Sequence, residues 1–127
     1  MEYGSMGSIK ISEEVISKIA NTSACEVAGV YKIVPKISNT SKNIIPNMKT
    51  AFKGIGIQIG EEDAITVLIQ LAVKQGYKIP TVATDVQKNV SEAINTMTGL
   101  KVLKVHVVVI NIVSEKSVAT TFVEEQA

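Results

Sequence analysis

The chain has 127 residues, 46% apolar and 20% charged, with thirteen lysines or arginines against twelve acids for a formal charge of +1. That length supports one domain able to bury its own core, and the near-neutral balance argues against a strongly cationic nucleic-acid binder. All the basic residues are lysine, and there is one Cys and one His, so guanidinium forks, a disulfide framework and multi-His or all-Cys metal sites are excluded.

The opening residues Met1 to Ser8 are small and polar, without the basic and apolar regions of a signal peptide. They predict a flexible N-terminus over residues 1–7. The longest apolar run, Val107-Val-Val-Ile110, falls well short of the roughly 18 residues a spanning helix needs. A cytoplasmic protein is the expectation, with any membrane association coming through a partner or a surface patch.

Ile9 and Ile11 alternate with polar residues and predict a short strand. Ser12 suits a helix N-cap, with Glu13 and Glu14 at the positive end of the helix dipole. Val15, Ile16, Ile19, Ala20, Ala24 and Val27 recur at helical spacing, predicting a helix over 13–27 that Gly29 stops. Val30 to Val34 reads as a strand ended by Pro35. Residues 35–52 are the least patterned and predict a mobile loop with a helical turn near Met48. Five lysines fall between residues 27 and 60 and no acid does, so overall neutrality hides one basic segment.

Ile55, Ile57 and Ile59 alternate, as do Ile65, Val67, Ile69, Leu71 and Val73. The polar Gly60-Glu-Glu-Asp63 joins them, which predicts an antiparallel hairpin with odd-numbered residues facing the core. Pro80 opens a second helix over 80–98, striped by Val82, Val86, Val90, Ile94 and Met97 and closed by Gly99. A last strand runs from Val102 to Val113, with Leu103, Val105, Val107 and Val109 on the core face. Residues 114–127 read as a tail.

The order β-α-β-loop-β-β-α-β predicts an α+β fold: a two-layer sandwich, one domain over residues 8–113, with both helices on one face of a mixed sheet. The opposite face would carry Gly56, Gln58, Thr66, Leu68, Gln70, Lys104, His106, Val108 and Ile110, a mixture that is either solvated or an interface.

Candidate chemistry is sparse. His106 lies among valines with no orienting acid nearby in the strand, so a surface or interface role is favoured over catalysis. Cys25 sits late in its helix, beside Glu26, where a reactive thiolate is not supported. Gly54, Gly56 and Gly60 have neither the spacing nor the strand-to-helix context of a phosphate loop. The carboxylate pairs Glu13-Glu14, Glu61-Glu62 and Glu124-Glu125 read as solvated. Lys36, Lys42 and Lys49 are the candidates to face an anion, although few aromatic residues accompany them.

The ordered blocks carry a resemblance. Ile9-x-Ile11-x-x-Glu14-Val15, Ile19-Ala20 and Glu26-Val27-x-Gly29-Val30 come first. Lys53-Gly54-Ile55 and the alternating hairpin follow. Gly76, Ile79-Pro80, Val82-Ala83, Val86-Gln87, Val90, Met97-Thr-Gly-Leu100 and the valine-rich strand close the series. Over residues 8–113 the chain resembles the alkaline shock protein family, the cell-envelope stress response proteins of Gram-positive bacteria. That resemblance implies small cytoplasmic proteins that associate with one another or with membrane-anchored partners, with no established catalysis, no catalytic residues and no cofactor.

The expectation is therefore a non-enzymatic protein linked to envelope stress or homeostasis, acting by self-association or by docking to a protein partner. His106, Val108 and Ile110 are the candidate interface, and no nucleic-acid partner is expected. The alternative is an anionic-lipid or single-stranded nucleic-acid binding module using residues 32–53.

Overall fold

The computed structural model describes residues 6–46 and 50–114. In chain order the elements are α1 (Glu13–Cys25), β1 (Val30–Ile33), α2 (Asn39–Ile44), β2 (Thr50–Phe52), β3 (Ile55–Ile59), β4 (Ile65–Lys74), α3 (Ile79–Thr98) and β5 (Val102–Val113). This is an α+β fold built on one mixed sheet of five strands.

Strand β4 is its axis. Along one edge β3 pairs antiparallel with the first half of β4 and β1 antiparallel with the second half. Along the other edge β5 runs parallel to β4 for its whole length. A parallel neighbour needs a crossover, and α3 supplies it across one face of the sheet.

Helices α1 and α3 share that face. Ile16, Ala20 and Ala24 of α1 and Val82, Val86, Val90 and Ile94 of α3 are buried against Ile65, Val67, Ile69, Leu71 and Val73 of β4. The odd-numbered residues of β4, with Ile55 and Ile57 of β3, thus form the core face, as the alternation predicts, and both helical stripes turn toward it except Val15 and Met97, which are exposed. The start of α1 and the end of α3 are set as the sequence implies. The Ser12 hydroxyl accepts the Val15 N–H at 3.2 Å. Gly99 ends α3 in the left-handed region at φ 75°.

Gly29 is required where α1 and α3 come together, because a Cβ there would lie 2.6 Å from Val82 Cγ2. Lys53 and Gly54, at φ 45° and 79°, make the two-residue turn between β2 and β3. Positive φ at both positions is the type I′ geometry that matches strand twist. A Cβ on Gly54 would also strike the backbone of Pro35.

Three expectations are corrected. Ile9 and Ile11 form no strand; only Ser8 makes an isolated bridge. Ile11 instead borders the same small cavity as Ile16, the residue before the N-cap beside the fourth helical residue, which is a hydrophobic staple. The first helix ends at Cys25, two residues before the predicted limit. The segment read as a loop over 35–52 holds α2 and β2. The helical turn near Met48 and nearly all of the tail lie outside the described residues.

Candidate functional site

The second face of the sheet, away from α1 and α3, is partly closed by the chain itself. Gln70 lies in the middle of β4 on that face and is fully buried. Its Oε1 accepts the Ser38 N–H at 2.7 Å and the Ser41 hydroxyl at 2.5 Å. Its Nε2 donates to the carbonyls of Lys36 at 2.6 Å and Val34 at 3.3 Å. One side chain thereby ties down the strap from Val34 through α2. A buried amide needs all of these partners, and the strap needs the amide, because a six-residue helix has little stability of its own. Between strap and sheet lies a cavity of about 460 Å³ lined by Ile37, Ser41, Lys42, Ile45, Pro46, Thr50 and Leu68.

The candidate interface residues separate in this geometry. Val108 is only 7% exposed, so its side chain packs within the chain and needs no second subunit to cover it. His106 is half-buried and borders an open groove of about 400 Å³ with Gln87, Ser91, Leu103, Lys104 and Val105. Ile110 is 40% exposed.

Strand β5 explains the difference. Its register slips twice against β4, leaving Leu103 and Ile110 as extra residues. A bulge reverses which face the following residues occupy. Leu103 is therefore 55% exposed and not in the core, and beyond Ile110 it is Ile112, 50% exposed, that shares the side of Val73. Together Leu103, Ile110 and Ile112 place apolar surface along the outer margin of the sheet, where β5 has no strand neighbour other than β4 among the described residues.

The lysines are dispersed. Lys36 and Lys42 are exposed on the strap, and Lys49 lies outside the described residues. Lys18 and Lys53 stand 5.5 and 5.4 Å from the Phe52 ring, and Lys32 stands 5.9 Å from Tyr31. Cys25 ends α1 as an exposed free thiol. Partial burial pushes its pKa up, opposed by the nearby Lys53 charge. That is the opposite of an activated nucleophile. Among the described residues no helix is long and apolar enough to cross a membrane.

Two residues hold structural roles that the sequence did not assign to them. Gln70 carries a signal, a lone amide in ten otherwise largely apolar strand residues. Gln87 donates through Nε2 to the Val105 carbonyl at 3.0 Å, a contact from helix to strand that no local pattern announces.

The molecule is thus a small α+β domain whose chemistry is concentrated in its surfaces: a strapped face, a basic segment and an apolar sheet margin. The chain belongs to the alkaline shock protein family, described as having a cell envelope-related function, whose model matches residues 1–114. It is also 30% identical over 112 residues to the uncharacterized protein Spy1535 of Streptococcus pyogenes serotype M6, covering 88% of this chain and 84% of that one. No solved structure matches the chain.

Proposed function

We propose that this chain is a non-enzymatic docking protein in the cell-envelope role of its family, and that it presents the β5 margin of its sheet to itself or to a protein partner. The observation carrying this reading is the row of exposed Leu103, Ile110 and Ile112 on the outermost strand. Exposed apolar residues scattered singly are ordinary, but three on one margin make a patch that association would remove from water.

The test uses tagged full-length protein in native cells, with the membrane fraction retained. Wild type is expected to capture itself or a partner, and Leu103→Glu with Ile112→Glu to lose that capture. Val15→Glu, on exposed α1, is the control and is expected to keep it. Equal capture by all three proteins would overturn the reading.

A second reading rests on exposed Lys36 and Lys42 in a stretch without acids. It takes the strap as a contact for an anionic lipid surface or a single strand of nucleic acid, with binding that falls steeply as salt rises. Lys36→Gln with Lys42→Gln would abolish such binding; binding that persisted would remove this reading.

A further inference from the structure

We infer that the partner at the β5 margin is a second copy of the same strand, paired antiparallel about a two-fold axis near Val108. This rests on the docking role proposed above and deepens it by naming the occupant.

The direction of the backbone groups follows from the hydrogen bonds of β4. The Ile65 N–H donates to the Lys101 carbonyl, while the Gln70 carbonyl accepts from Val34. Odd residues of β4 therefore turn their backbone groups toward β5, and even residues turn theirs toward β1 and β3. In a parallel ladder the β5 residues opposite those odd positions then point away from β4. These are Val105, Val107 and Val109, in register with Val67, Ile69 and Leu71. The Gln87 amide on the Val105 carbonyl fits this direction, since that carbonyl is free to accept it.

Among the described residues the margin is thus guarded at both ends and open in the middle. Gln87 occupies Val105, and the bulge at Ile110 breaks the regular strand. Such devices are how proteins limit pairing along an edge. The outward backbone groups of Val107 and Val109 remain between them. Residues spaced i and i+2 are closed by their own two-fold copy: Val107 of one chain meets Val109 of the other, twice over, without disturbing the Gln87 contact. A two-fold at Val107 or Val109 instead would require Val105 or the residues past the bulge.

Charge supports the same occupant. Strand β5 holds one charged residue, Lys104, and no acid. In the antiparallel arrangement Lys104 lies beyond the Ile110 bulge of the other copy, and the two lysines stand about 26 Å apart at ~3.3 Å per residue. Parallel pairing would place like charges side by side. His106 falls opposite Ile110, so the apolar residues left exposed by the bulges gain a covering row.

Even the full strand, about 40 Å by ~10 Å, would bury roughly 800 Å² in total. That is below the usual size of a stable interface, so a weak, concentration-dependent dimer is expected.

The test is amide hydrogen exchange with sedimentation on the full-length chain across a concentration series. Protection of the Val107 and Val109 amides is expected to rise with concentration together with the dimer fraction. Val107→Pro removes one outward donor from each copy and is expected to weaken the dimer about tenfold, with cooperative unfolding retained. Should that variant fail to fold, the wild-type exchange data still decide.

Protection equal at all concentrations would mean that the chain covers its own edge, and protection absent at millimolar protein would mean that the edge stays open. Either result overturns the inference. If Leu103→Glu with Ile112→Glu nevertheless abolishes capture in cells, the docking role stands and only the self-pairing falls.

Discussion

Gln70 concentrates more structure than any other single side chain here. Its amide meets backbone and hydroxyl groups of residues 29 to 36 positions upstream, converting a segment with little apolar pattern into a defined cover for the sheet. Gln70→Met keeps the volume but strands the Ser38 N–H and the Lys36 carbonyl. A cost of about 2–3 kcal/mol is expected in urea unfolding, from buried groups left without partners. Exchange of the Ser38 amide should accelerate further than that of the core strands, because the strap can lift while the sheet persists. Cys25 provides a test of local electrostatics. Burial raises its pKa and Lys53 lowers it, with burial the larger influence. At neutral pH the thiolate fraction is then below that of a free cysteine, so alkylation is expected to be slower and its rise with pH displaced upward. Lys53→Asn keeps a residue suited to the left-handed turn but removes the opposing charge. Alkylation of that variant should slow further. A faster rate would mean that Lys53 acts by shielding the thiol and not through its charge.

The elements differ in how openly the sequence declares them. α3 is announced by its valine stripe, Pro80 and Gly99, and the β3–β4 hairpin by alternation on both sides of an acidic turn. Their burial follows from those patterns, which are local. α2 could not be read in the same way: Asn39–Ile44 has no apolar periodicity and stands only because Gln70 holds its start. Ile9 and Ile11 alternate as a strand would, yet Ile11 serves as a staple for α1. In β5 the span was legible to the residue, but the two bulges change the facing of individual side chains, and bulges arise from pairing across strands. Strand order has the same origin, so the open edge, and with it the candidate site, could not be located from sequence. His106, Val108 and Ile110 are expected from the alternation on the face opposite the helices; Ile110 is exposed at the margin through the bulge, and Val108 is interior. A pair of truncations measures this difference. Ile94→Ala in α3 removes a fully buried side chain and is expected to cost about 2–4 kcal/mol. Leu103→Ala, which the bare alternation would rank as a core truncation, should cost less than about 1 kcal/mol because the bulge leaves it mostly in water. Comparable losses in chemical denaturation would mean that Leu103 is buried in solution.

At the scale of the whole molecule the charges are sorted by surface. The strap side carries Lys36 and Lys42 without acids, whereas an open cleft between α1 and α3, about 400 Å³, is lined by Glu26, Asp85 and Glu92 with Lys88. The β5 margin lies apart from both and is nearly neutral. Ionic strength therefore separates the readings of function. Pairing through β5 would rest on backbone hydrogen bonds and apolar cover, with the lysines of the two copies much farther apart than a Debye length of about 8–10 Å at physiological salt. Its dissociation constant is expected to change less than about twofold between ~0.1 and ~0.5 M salt, since no close ion pair is present to screen. Contact with an anionic surface through the strap releases counterions, and two or more neutralised phosphates would make its affinity fall by roughly the square of the salt ratio or more. Sedimentation of the pure chain and flotation with anionic vesicles, run over the same salt series, give two slopes for one protein. A steep slope in sedimentation would transfer self-association from β5 to contact between oppositely charged surfaces, such as the basic strap and the acidic cleft, whose attraction salt weakens.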